Sequence, residues 1–152
     1  MSSYLEIEKL SLEIICSEKS VNNKMLLLCS LLDKKLSHYN WTGFYLADIE
    51  NKLLHLGPYI GEATDHTTIP FGKGICGQAA ETNQTFLVDD VNAESNYISC
   101  NINVKSEIVV PIIKEGVVLG QIDIDSNTIA AFKEQDQLLL ETICKALAPY
   151  II

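Results

Sequence analysis

Five cysteines offer the first chemistry in this 152-residue chain, and two of them stand apart from the rest. Cys76 lies in IPFGKGICG (residues 69–77) and Cys100 in SNYISCNIN (residues 95–103), glycine-rich and polar stretches on either side of one expected strand. Cys76 precedes or opens a short helix, where the helix N-terminal dipole and nearby Lys73 would favour a thiolate. Nothing amphipathic around Cys100 demands a buried thiol. Both positions read equally well as reactive or as structural. Cys16, Cys29 and Cys144 sit on apolar helical stripes and read as small buried hydrophobes. No pair forms CxxC, and His38, His55 and His66 are scattered, so the spacing predicts no metal site. The GKG loop lacks both the spacing and the hydroxyl of a P-loop, which disfavours a phosphate cradle.

A second group is acidic. Asp123 and Asp125 alternate in QIDIDS, so both point to one face of a strand, and Glu107 opens the strand expected to pair with it. They could line a solvated sheet face. Gathered together, three carboxylates are costly unless they meet a cation or share a proton. Such a cluster suits an ammonium group and can supply a proton near neutral pH. Trp41 and Tyr45 share a face of their own strand, with Phe44 on the other. They fit either core packing or an aromatic wall for a small thioether or methyl group.

The elements that must position these groups follow from the periodicity. Two helices fill the first forty residues, with stripes of Leu5, Leu10, Leu12, Ile15 and Cys16, then Met25, Leu26, Leu28, Cys29, Leu32 and Leu36. Ser20 and Asn22 are candidate caps between them. WTGFYLA (41–47) and KLLHLGP (52–58) flank polar DIEN as a hairpin, and residues 59–75 read as loop. A short helix is expected over Gly77–Thr82 and a strand over Thr85–Val88. Residues 89–106 form a polar, irregular loop of functional length. EIVVPII (107–113) and VVLGQIDID (117–125) make the clearest hairpin, and a stripe of Leu138, Leu139, Ile143 and Leu147 closes the chain as a helix. The order predicts one α+β domain over residues 1–152, an antiparallel sheet with helices packed on it.

Composition narrows the class. Hydrophobic residues make up 47% and charged residues 20%, the proportions of a globular chain. Net charge of −9 argues against nucleic acid or anionic lipid as a partner. The longest apolar runs are too short to span a bilayer, and no basic stretch followed by an apolar one opens the chain. A cytoplasmic location is expected, and an odd cysteine count argues against a disulfide framework.

Taken together, NWTGFYL (40–46), LGPYIGE (56–62), IPFGKGICGQAA (69–80), VDDV (88–91), KSEIVVPI (105–112) and LGQIDIDS (119–126) resemble the free methionine-(R)-sulfoxide reductases, stand-alone GAF-domain enzymes. The resemblance runs over nearly the whole chain. It implies a GAF fold, reduction of free methionine-(R)-sulfoxide without a cofactor, thioredoxin as reductant, and allows a homodimer. By the same resemblance Cys100 is the nucleophile and Cys76 the resolving cysteine, with the roles open to exchange. Glu107, Asp123 and Asp125 would hold the substrate ammonium and help protonate the departing oxygen. Trp41 and Tyr45 would enclose the methyl group. The family pattern commonly carries a third loop cysteine six positions before the first glycine of GKG, where this chain has His66. It has YISC where the family usually has HIAC, and Asn101 follows where Asp is usual. A non-catalytic GAF module that binds a small molecule is the alternative.

Overall fold

The two-residue turn after Lys114 explains the best-defined hairpin: Glu115 and Gly116 both take positive φ, 52° and 79°. Mirror-image turns of this kind match the twist of the strands they join. They join β5 (Ser106–Lys114) to β6 (Val117–Ser126). β1 (Trp41–Asp48) pairs with the other edge of β6 and forms its own hairpin with β2 (Leu53–Ile60). With β3 (Thr68–Pro70) and β4 (Phe86–Val88) they make one six-stranded antiparallel sheet, in the order β3-β2-β1-β6-β5-β4. The computed structural model describes residues 3–97 and 102–151.

Four helices cover the sheet unequally. α1 (Ser3–Cys16), α2 (Val21–Lys35) and α4 (Glu134–Leu147) pack on one face, α3 (Gly74–Thr82) on the other. The strands sort their side chains accordingly. Phe44, Ile108, Val110, Ile122 and Ile124 enter the core under α1, α2 and α4. Trp41, Tyr45 and Val109 point to the α3 side. Both sheet faces are therefore occupied, and β5 and β6 are buried almost throughout. Among the described residues no helix is long and apolar enough to cross a membrane.

The helical stripes are shifted from the sequence reading. Ile7, Ser11 and Ile15, four apart, face inward, whereas Leu5 is 69% exposed and Cys16, one step beyond Ile15, turns to solvent. Leu26 and Leu138 are likewise exposed, each about 100° round its helix from a buried neighbour, Met25 and Leu139. Ser20 does cap α2, its hydroxyl accepting from Asn23 N at 3.2 Å. Residues 59–75 are not all loop. β2 runs to Ile60, and β3 pairs Ile69 with Leu54. At three residues β3 is too short for its alternation to stand out. α3 starts at Gly74, three residues earlier than expected.

One buried carboxylate ties distant segments together. Asp136, in the first turn of α4, accepts from Tyr4 Oη at 2.7 Å, Tyr39 Oη at 2.8 Å and Lys133 N at 2.8 Å. His38 Nε2 lies 3.0 Å from the same carboxylate.

Candidate active site

Strand register brings the predicted groups together on the α3 side of the sheet. Asp125 on β6 stands opposite Trp41 on β1 and Glu107 on β5. One pleat along, Asp123 stands between Gly43 and Val109, and the next position pairs Gln121 with Tyr45. A period of two places all of them on one face. Gly43 is required there. A Cβ at that position would fall 2.4 Å from Cη2 of the Trp41 ring. The indole is held by its own hydrogen bond, Nε1 donating to Glu62 O at 2.9 Å, and by stacking on Tyr59 at 5.3 Å. Tyr45 donates to the carbonyl of half-buried His66 at 2.9 Å.

α3 lies across this face and carries Cys76 into it. The GKG turn sets its entry. Gly72 and Gly74 take φ of 84° and 64°, conformations that strain any residue with a side chain, and Lys73 between them is the helix N-cap. Asn96 clamps the turn from the neighbouring loop, its Nδ2 donating to Gly72 O at 2.8 Å and its Oδ1 accepting from Gly74 N at 3.2 Å. Gln121 Nε2 donates to Cys76 O at 3.1 Å, which fixes the first turn of α3 to β6.

These contacts leave the Cys76 sulfur among acids. Its Sγ lies 3.9 Å from Glu107 Oε2, and one ligand atom each of Cys76, Glu107 and Asp123 fall within 4.8 Å of one another. Burial, then the negative charges of Asp123 and Glu107, push the thiol well above its ordinary range. This overturns the expectation of a thiolate at position 76. Lys73 and the helix dipole are outweighed once the sulfur is dry and faces carboxylates. Burial also raises Asp125, with the charge of Asp123 adding to it. Asp123 is raised by burial, and hydrogen bonds with Glu107 and Cys76 draw it partly back.

Two cavities open on the cluster. One, of about 20 Å³, is lined by Tyr45, Ile69, Lys73, Cys76, Glu107 and Asp123. The other, of about 110 Å³, is lined by Trp41, Asp125, Asn40, Thr64, Asn103 and Val104, among others. The two acids of QIDIDS thus face one cavity each. All the predicted site residues except Cys100 meet here, and Cys100 lies outside the described residues. Gln121, Val104 and Asn96 were not anticipated. Gln121 belongs to the same alternation as Asp123 and Asp125 and was legible in it. Val104 and Asn96 sit in irregular chain with no periodic signal.

A GAF domain model matches residues 28–151. The chain is 46% identical over 111 residues to the free methionine-R-sulfoxide reductase of Saccharomyces cerevisiae, covering 71% of this chain and 61% of that protein. It resembles the structure of free methionine-R-sulfoxide reductase from Neisseria meningitidis in complex with its substrate. That likeness has a TM-score of 0.92 and 34% identity, over 97% of this chain and 87% of the other. The reduced form of fRMsr from Staphylococcus aureus superposes with a TM-score of 0.90 at 34% identity, over 100% of this chain and 97% of the other.

Proposed function

The chain belongs to the free methionine-R-sulfoxide reductase family of GAF-domain proteins, and from that membership we propose that it reduces free L-methionine-(R)-sulfoxide to methionine. The observation that carries the reading is the row Trp41–Asp125–Glu107 with Cys76 beside it, an aromatic wall, a carboxylate cluster and a thiol on one sheet face. The ammonium of a free amino acid offsets buried negative charge there, and a peptide-bonded residue brings no such charge. Trp41 and Tyr45 enclose the methyl group.

In this mechanism the Cys100 thiolate attacks the sulfoxide sulfur. Asp123 or Asp125, whose burial keeps a proton bound at higher pH than usual, protonates the oxygen. The sulfoxide gains two electrons and leaves as methionine, and Cys100 keeps the oxygen as a sulfenic acid. The Cys76 thiol then condenses with it, forming the disulfide and releasing water. Thioredoxin restores both thiols by exchange. The raised Cys76 thiol supports this division of labour, because the group less able to ionise is suited to resolve rather than attack. The same reading includes a cytoplasmic location and allows a homodimer.

Consumption of NADPH with thioredoxin and thioredoxin reductase tests it, using the free R epimer, the free S epimer, and the R epimer acetylated and amidated. Turnover of the free R epimer alone is expected. Equal turnover of the blocked compound would refute the role of the acids. Binding of methionine sulfoxide without turnover would instead identify a non-catalytic GAF module, the reading that His66 in place of a cysteine favours.

A further inference from the structure

Cys76, Glu107 and Asp123 reach the smaller cavity from three separate elements, α3, β5 and β6; the hairpin periodicity joins the two acids, and only the fold adds the thiol. They are 6%, 5% and 2% exposed. Asp123 Oδ1 has no hydrogen-bond partner among the described residues, although Asp123 lines the cavity. Lys73, itself exposed, is the one cationic side chain among the described lining residues. A buried, unsatisfied carboxylate oxygen beside a second acid and a thiol is a strong request for a cation.

An ammonium group answers it only in part. It donates hydrogen bonds to the carboxylates and leaves the sulfur a neutral thiol. A borderline-soft divalent ion uses all three groups. With metal–sulfur and metal–oxygen bonds of about 2.3 and 2.0 Å, tetrahedral coordination sets the ligands about 3.3–3.5 Å apart. The observed Sγ–Oε2 distance is 3.9 Å and the three ligand atoms lie within 4.8 Å of one another, so a bound ion must draw them together by up to about 1.5 Å. The thiol selects zinc over magnesium or calcium, which favour oxygen alone.

We propose that Cys76, Glu107 and Asp123 form a binding site for a zinc-class divalent cation, and that the bound ion competes with the free amino acid for the pocket. The site itself stands apart from the proposed activity, and only the competition rests on it. Binding releases the thiol proton and transfers no electron. The metal-bound sulfur is then withheld from disulfide chemistry, so the ion acts as an inhibitor.

Cobalt, a spectroscopic stand-in for zinc, tests this on the full chain. One Co²⁺ per chain is expected, with a near-ultraviolet sulfur-to-cobalt charge-transfer band that Zn²⁺ abolishes. Cys76→Ser should lose the band. Asp123→Asn should weaken cobalt binding about tenfold or more. Excess free methionine, which carries the same ammonium and methyl group but cannot oxidise the thiols, should raise the apparent Kd for cobalt. Absence of the band, or its survival in Cys76→Ser, would overturn the site, the latter assigning the sulfur to another cysteine such as exposed Cys16. Should Cys76→Ser fail to fold, zinc protection of Cys76 from iodoacetamide in the parent chain, read by peptide mass spectrometry, decides the same point, and unchanged labelling refutes it. A cobalt band without sulfoxide turnover would refute the reductase reading and leave the metal site. Turnover without a band would do the reverse.

Discussion

At position 76 the chain holds a thiol that its surroundings keep protonated. Burial is the main cause, and the charges of Asp123 and Glu107 add to it, so ionisation lies well above the ordinary cysteine value. Iodoacetamide should therefore label Cys76 far more slowly in the folded chain than in the denatured one, and exposed Cys16 should react first. Asp123→Asn removes the second cause and should speed Cys76 labelling at fixed pH. No acceleration would mean that burial and the Glu107 charge, not Asp123, set the reactivity. Asp125 leads to a stability prediction. Its folded-state ionisation is raised above the ordinary 3.8 by burial and by Asp123. Between those two values the native state holds more protons than the unfolded one, so stability falls as pH rises through the window. Asp125→Asn should remove that fall and raise the melting temperature at pH 7 by a few degrees while impairing turnover. A lower melting temperature for the variant at neutral pH would contradict it.

At the scale of elements, α3 depends on contacts that no helical propensity would supply. It is nine residues long, has no side-chain N-cap bond, and begins on the GKG turn. Asn96 holds that turn through two hydrogen bonds, one partly buried and one exposed. Asn96→Ala should cost about 1–2 kcal/mol in urea unfolding. It should also slow Cys76–Cys100 disulfide formation after a single turnover more than methionine release, because Cys76 rides on the helix start. Equal slowing of both steps would place Asn96 outside the recycling path. The legibility of the elements follows the same logic. QIDIDS displayed its acids because a strand alternates faces at every residue, and that alternation survives in any well-paired strand. WTGFYLA separated Trp41 and Tyr45 from Phe44 for the same reason, as the two cores on opposite faces of the sheet bear out. β3 was hidden by its length. The thiolate expected at Cys76 failed because a local reading of helix and lysine cannot see β5 and β6 beneath. The Asp136 junction was equally out of reach, since its side-chain partners Tyr4, His38 and Tyr39 lie far along the chain from α4.

For the whole molecule, the sheet divides structural from chemical duties. The core under α1, α2 and α4 is mostly apolar, with Leu28 fully buried in it, and its buried carboxylate Asp136 is met by Tyr4, Tyr39 and Lys133. The face under α3 carries the buried acids, the thiol and the unsatisfied oxygen of Asp123, groups that weaken a fold unless a ligand meets them. Two substitutions should separate these roles. Leu28→Ala leaves a cavity on the helix side and should cost about 2–5 kcal/mol. The strands between that cavity and the site keep their register, so KM for the sulfoxide should stay unchanged below the melting transition. Gly43→Ala acts on the other face. Its new methyl group would meet the Trp41 ring at 2.4 Å and the Tyr59 side chain at 2.7 Å, so the indole must leave its place opposite the Asp125–Glu107 pair. KM should rise severalfold. Steady-state kinetics and urea midpoints for the two variants check the pair together. If Leu28→Ala raises KM as much as Gly43→Ala does, the sheet transmits helix-side packing to the site and the division fails.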